Sequence, residues 1–449
     1  MRVCGVYFVF VILLSACTNG VSHLDIALQQ AKHNKAELEK VLKHFKHDSL
    51  KYRAACFLIE NMPGKYSILP YDSLDRYKNF LKIIPQNDPI SWDVRYSKIW
   101  HGFDSISKRQ LAGFSKIEDI KVITGDYLIK NIEYAFKIWE NGKIKDYCSF
   151  DEFCHYILPY RIDHEPLSNW REEGFQKFGH LLDSLMSPRE LALRIIKLGG
   201  MRYNIGMTKY PYKQSYAEML QTRWGTCDDM AAFLALSLRA IGIPASIDYV
   251  PAWANRSSSH CWNVVKDATG DFIEVGYGPE GKNEVVYKIS KIYRKKYDIP
   301  LCDVTSEYAM PLSDLTFRVP SQKDKQLISL CTFNNHDWVP VALSKVMNGS
   351  VLFESVGRGI LWGDNQIRTY LNEGKGIVFL AFISQNGRLN NKPIGFPIIL
   401  LEDGTIKELC ASTEKESIIL YRKYPYYGSN NAIIPVSYTH LTLPTICSV

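Results

Sequence analysis

Gln221-Thr222-Arg223-Trp224-Gly225-Thr226-Cys227-Asp228-Asp229-Met230-Ala231-Ala232-Phe233 is the stretch from which the rest of the chain is best read. Beyond Cys227, Met230, Phe233, Leu234, Leu238 and Ile241 recur at helical spacing until Gly242 and Pro244 close the run. That is an apolar helix face followed by its stop signals. The cysteine therefore stands at a helix N-terminus, where backbone N–H groups and the helix dipole favour the thiolate, the nucleophilic form. Asp228 and Asp229 oppose that charge, so a positive partner is required.

The partner is found downstream, after a strand-like Ala245-Ser246-Ile247-Asp248-Tyr249-Val250, in Ser259-His260-Cys261-Trp262-Asn263-Val264-Val265. A turn at Asp267-Ala268-Thr269-Gly270 leads to a second strand, Phe272-Ile273-Glu274-Val275. A cysteine at a helix start and a histidine on a strand meet only if the segment folds them together. A thiolate–imidazolium pair is what acyl transfer from an amide or ester needs, with His260 acting as general base and then as general acid. Taken singly, either residue reads as a packed side chain.

Together, Gly225-Thr226-Cys227-Asp228-Asp229, Leu238-Arg239-Ala240-Ile241-Gly242-Ile243-Pro244-Ala245 and His260-Cys261-Trp262-Asn263-Val264 resemble the transglutaminase-like core family. The arrangement also resembles a group of Bacteroidota lipoproteins that carry a helical part before that core. The resemblance covers about a quarter of the chain. It implies a papain-like α+β fold and a cysteine–histidine–acid triad. Activities range from peptide-bond hydrolysis to acyl transfer onto amines, and some members are inactive. The acid of the family ends the strand after the histidine, where this chain has Gly276. Glu274, two residues earlier and on the same strand face, is the candidate substitute. Gln221, six residues before Cys227, is the candidate second oxyanion donor beside the Cys227 amide, or a surface glutamine. Trp224 either supplies an indole N–H or walls the cleft.

The chain begins with one early cation at Arg2, an apolar run from Val6 to Leu14 and then Leu14-Ser15-Ala16-Cys17. The run is short for a membrane span and reads as an export signal. Leu-Ser-Ala-Cys resembles a bacterial lipobox, which implies acylation at Cys17 and a lipid tether. Without acidic residues after Cys17, a periplasm-facing outer membrane is the expected location. A hydrophobic share of 46% with 22% charged residues excludes disorder and collagen-like repeats. The net charge of +7 is spread out, apart from Arg294-Lys295-Lys296, which argues against nucleic-acid binding. Eleven cysteines without framework spacing give no readable disulfide connectivity, and Cys148 and Cys154 read as buried structural residues.

The chain is expected to be α+β. A lipoprotein signal peptide occupies 1–17 and a helical N-terminal region 18–184. Within it, helices are predicted at 36–45, from Asp48-Ser49 to Pro63-Gly64, and at 72–83, 124–140 and 150–157. Trp92, Trp100, Trp139 and Trp170 serve as helix-packing aromatics. The transglutaminase-like core follows at 185–300. A β-rich, sandwich-like module spans 301–434, with strands at 351–353, 376–383 and 396–401. Residues 435–449 hold no charged side chain and resemble sequencing-adapter read-through, so the natural chain is expected to continue past about residue 435 and the β module to be cut short. The expected activity is cysteine-dependent amide hydrolysis or acyl transfer on a peptide or glycopeptide, with no cofactor and no metal. The alternative is a catalytically inactive lipoprotein that binds a peptide or glycan. Oligomeric state is not legible.

Overall fold

The structure, a computed structural model, describes residues 22–68, 116–141, 143–183, 185–203, 213–254, 258–276, 287–299, 301–319, 324–334, 337–361, 367–369, 376–385, 388–409, 418–422 and 434–438. The signal segment with Cys17, the helix predicted at 72–83, Trp92, Trp100 and the tail beyond Tyr438 lie outside these residues.

The chain opens with helices α1 (His23–Ala31), α2 (Lys35–Phe45) and α3 (Ser49–Glu60), as the periodicity predicts. The Asp48 side chain accepts the Lys51 amide at 3.1 Å, capping α3 as its position implies. Next come α4 (Gly125–Asn141), α5 (Phe150–Tyr156), α6 (Trp170–Phe178), α7 (Pro188–Gly199), α8 (Tyr216–Thr222) and α9 (Cys227–Ala240). Ser149, Ser187 and Ser215 each close a reciprocal capping box at the starts of α5, α7 and α8. Trp139 and Trp170 are buried in the helical core, the packing role expected of them.

The helix α9 is enclosed rather than merely amphipathic: every residue from Asp229 to Ala240 is buried. Its small side chains permit this. A Cβ placed on Gly174 of α6 would come within 2.7 Å of the Ala240 Cβ, so the two helices approach closely. The other side of α9 packs on a five-stranded antiparallel sheet made of β1 (Ala245–Val250), β2 (His260–Lys266), β3 (Phe272–Val275), β4 (Tyr293–Arg294) and β5 (Cys302–Asp303), in spatial order β5-β4-β1-β2-β3. One buried cluster runs from Ala27 through Phe233 to Tyr297. The helical region and the α9 segment therefore share a core, and packing does not break at residue 184.

Buried cations fasten this core. The Arg171 guanidinium donates to Asn131 Oδ1 (2.9 Å) and to the carbonyls of Ile157 (2.8 Å), Leu158 (3.2 Å) and Arg239 (3.1 Å). Arg239 in turn donates twice to the Ala245 carbonyl, joining the end of α9 to β1. These bonds give partners to buried carbonyls near the ends of α5 and α9 and at the start of β1. They fix the C-terminal end of α9, and so the position of Cys227 at the other end.

The C-terminal part is β-rich, as expected. Here β6 (Leu312–Arg318), β7 (Leu327–Asn334), β8 (Asp337–Lys345), β9 (Ser350–Gly357), β10 (Ile377–Gln385), β11 (Arg388–Leu400) and β12 (Ile406–Glu408) form two sheets, β8-β7-β10-β11-β12 and β6-β9. Leu315 and Phe353 from the pair, with Leu330, Phe379 and Leu400 from the larger sheet, fill one core between them. A further strand pair, Ile418–Arg422 with Ile434–Tyr438, includes the first residues of the charge-free tail.

Candidate functional site

The segment that carries the site begins with a close approach. A Cβ on Gly225 would lie 2.5 Å from the Asp229 Cβ, so a larger residue there would push the chain off the helix start. Thr226 is the N-cap. Its hydroxyl accepts the Asp229 amide (3.3 Å), while the Asp229 carboxylate accepts the Thr226 amide and hydroxyl, both at 2.9 Å. The cap thus uses one of the two aspartates that follow the cysteine. Cys227 is left at the first helical position, partly exposed, in a turn whose amides have no carbonyl partner within the helix.

His260 is the first residue of β2. Its ring lies roughly parallel to Trp253, with centroids 5.8 Å apart, and 6.0 Å from Trp262. The loop that leads to it is held by the β7 side chain of Asn334. That amide donates to the carbonyls of Trp253 and Ser258, each at 2.9 Å, and accepts the Ser258 amide at 3.0 Å. A residue of the β-rich part therefore positions the strand start that bears the histidine.

The fold brings Cys227 and His260 together. The thiol of Cys227 falls to about 6, first through its hydrogen bond with Cys261 and then through the hydrogen bond and charge of His260; burial and the Asp228 carboxylate work against the shift. Cys261 moves the other way, pushed up by the neighbouring Cys227 thiol and by burial. Its Sγ lies 3.5 Å from Asp228 Oδ1. Cys261 faces α9 because β2 alternates: Asn263, two residues on, donates to the Ala231 carbonyl at 2.8 Å.

Cys227 differs sharply from Cys56, Cys148 and Cys154. Burial drives Cys148 and Cys154 up to about 12, and both lie in the helical core, consistent with structural roles. Burial also raises Cys56. Asp228, the residue after Cys227, walls a recess together with Asp163, Lys213 and Lys295. Lys295 Nζ lies 3.0 Å from Asp163, and Lys213 Nζ lies 3.5 Å from Asp228. Although burial alone would raise it, the Asp228 carboxyl is held below its ordinary range by Lys213 and Lys295.

Register and exposure describe the positions of Glu274 and Gln221. Antiparallel pairing sets Glu274 opposite Val264, and one further step sets Gly276 opposite Trp262. Glu274 shares the face of His260 but stands four residues along the sheet from it, about 13 Å between Cα positions, with Trp262 between them. Gln221 lies on α8 with its side chain exposed. The buried glutamine is Gln214, which donates to the Trp224 carbonyl at 2.8 Å and accepts the Thr222 hydroxyl at 2.8 Å. Trp224 is buried, and the Arg202 guanidinium lies 5.9 Å from its ring.

Sequence reasoning passed over Cys261, Asn334 and the Lys213–Lys295 pair. Alternation along β2 offered a signal for Cys261, and none marked Asn334, which arrives from a separate sheet.

Residues 180–276 match the family described as the transglutaminase-like superfamily. That segment contains α9, β1, β2 and β3. A crystal structure described as "a Putative Cysteine Protease from Cytophaga hutchinsonii" is similar at 14% identity, covering 42% of this chain and 47% of that one, with a TM-score of 0.20. The match thus spans about half of that protein. No curated protein matches the chain.

Proposed function

We propose that the transglutaminase-like domain cleaves an amide bond in a peptide or glycopeptide, passing the acyl group to water or to an amine, with Cys227 as nucleophile and His260 as proton carrier. The observation that carries this reading is the hydrogen-bonded contact of His260 with a helix-N-terminal thiol whose pKa falls to about 6. The thiolate attacks the carbonyl carbon, and first-turn amides of α9 face the developing oxyanion. As the C–N bond breaks, the imidazolium protonates the leaving amine. The resulting thioester is then attacked by water or an amine that His260 deprotonates. The two residues act as a pair, with the imidazole flanked by Trp253 and Trp262. The offset of Glu274 favours a second reading, a binding cleft without turnover. Incubation with a panel of peptide amides and amine acceptors, read by intact mass, is expected to trap an acyl group on Cys227. Absence of both acyl adduct and product across the panel would leave the binding reading.

The working location we propose is the bacterial envelope, with the domain tethered through a lipid on Cys17. Among the described residues, no helix is long and apolar enough to cross a membrane. The Leu14-Ser15-Ala16-Cys17 motif supports the tether. Expression in bacteria fed labelled palmitate is expected to mark the protein, with the label lost in Cys17→Ser. Equal labelling of the variant would remove the lipid from the account.

A further inference from the structure

The helix start brings a second thiol to the first. Cys261 is hydrogen-bonded to Cys227 from the α9 face of β2, and both are free thiols. Amide cleavage by the dyad uses Cys261 only as a hydrogen-bond partner of the Cys227 sulfur and leaves the sulfur chemistry of Cys261 itself unused. A serine would fit its place in the small-residue cluster with Ala231, Ala232 and Ala235 and keep that hydrogen bond, so neither packing nor cleavage asks for a second sulfur there. The two sulfurs differ in access: Cys227 is partly exposed, whereas Cys261 is 5% exposed. That asymmetry suits one thiol to meeting a small oxidant and the other to resolving the product.

We infer that Cys227 and Cys261 form a reversible redox pair, a modification site at which a hydroperoxide oxidises the nucleophile and the neighbouring thiol closes it as a disulfide. The Cys227 thiolate attacks the distal peroxide oxygen. The O–O bond breaks, the departing alkoxide or hydroxide takes the imidazolium proton of His260 and leaves as an alcohol or water, and Cys227 becomes a sulfenic acid. The Cys261 sulfur then attacks the Cys227 sulfur, its proton passing to the Asp228 carboxylate 3.5 Å away. The S–O bond breaks, and hydroxide leaves as water after taking that proton from Asp228. Two thiols are oxidised to one disulfide, and the peroxide is reduced by the same two electrons. The low pKa of Cys227 speeds the first step, since the thiolate is the reacting form. Closure protects the sulfur from the irreversible sulfinic and sulfonic states. The pair depends on thiol placement alone, so it stands whether or not the domain turns over an amide.

The test uses the reduced full chain, treated with a small excess of hydrogen peroxide near neutral pH, blocked with N-ethylmaleimide and mapped by peptide mass spectrometry. The expected product is a crosslinked peptide joining Cys227 to Cys261, with the intact mass lower by two hydrogens. Iodoacetamide labelling of Cys227 is expected to disappear and to return with dithiothreitol. In Cys261→Ser, peroxide is expected to leave Cys227 trapped by dimedone, or overoxidised and not restored. Should that variant fail to fold, the map of the unaltered chain decides alone. Cys227 found unmodified, overoxidised or joined to any other cysteine in the unaltered chain overturns the proposal. A disulfide without any amide turnover would leave the pair intact and count only against the enzyme reading.

Discussion

Replacing His260 with alanine is expected to lower the rate of amide cleavage by roughly 10²–10⁴-fold, the usual contribution of a positioned general acid–base group. Cys227→Ala is expected to abolish acyl transfer, since no thioester forms without the sulfur. In the His260 variant two losses combine: the thiol loses the hydrogen bond and charge that favour its thiolate, and the leaving amine loses its proton donor. His260 is only partly buried, at the start of a strand, so the fold should survive its truncation. Steady-state rates with matching thermal unfolding curves check both statements. A His260→Ala protein that keeps its rate would remove the histidine from the mechanism. Glu274→Gln is expected to leave the rate within a few-fold of the parent, because its register sets it away from the imidazole.

The largest effect on stability is expected at Asp248, which is fully buried beneath the histidine strand. Its carboxylate accepts Arg294 Nε at 2.8 Å and Nη2 at 2.9 Å, together with the Tyr308 hydroxyl at 2.6 Å. Tyr308 also accepts the Trp262 indole N–H at 3.0 Å. Asp248→Ala leaves the Tyr308 hydroxyl without its acceptor and the buried Arg294 guanidinium with Glu307, 2.8 Å away, as its remaining carboxylate, and breaking such a buried pair is expected to cost about 3 kcal/mol. Denaturant unfolding measures this. A loss under about 1 kcal/mol would mean that water or another group takes over the acceptor role. Because the network reaches Trp262, which flanks His260, a surviving Asp248→Ala protein is also expected to bind and turn over substrate less well.

The helix at Cys227 and the strands at 245–250 and 272–275 were legible because local signals agree there: apolar spacing, a glycine–proline stop and turn residues between β-formers. The meeting of Cys227 and His260 was legible only through the combined motif, since no local rule specifies a contact between a helix start and a strand. The acid was not legible. Alternation gave Glu274 the correct face, but its distance from His260 depends on cross-strand register, which neighbours in three dimensions decide. The direction of Gln221 was not legible for a related reason: counting back from the cysteine ignores the turn after α8, where Arg223 adopts a left-handed conformation with φ of 52°. Cys261 was read past because adjacent strand residues face opposite ways. It reaches the nucleophile because α9 packs on its side of β2, while His260 comes to the same sulfur from the strand end.

The most direct test of the account is the pH profile of Cys227 alkylation by iodoacetamide in the folded, reduced protein. A thiolate stabilised by Cys261 and His260 is half-formed near pH 6, so labelling is expected to level off by about pH 7, whereas Cys56 still gains about tenfold per unit there. His260→Ala is expected to shift the half-point upward and slow labelling at about pH 6.5 by about tenfold, the lost thiolate fraction being partly offset by higher intrinsic nucleophilicity. A half-point for Cys227 at or above about 8.5, or a profile unchanged by His260→Ala, would contradict the claim that these two residues form the reactive pair.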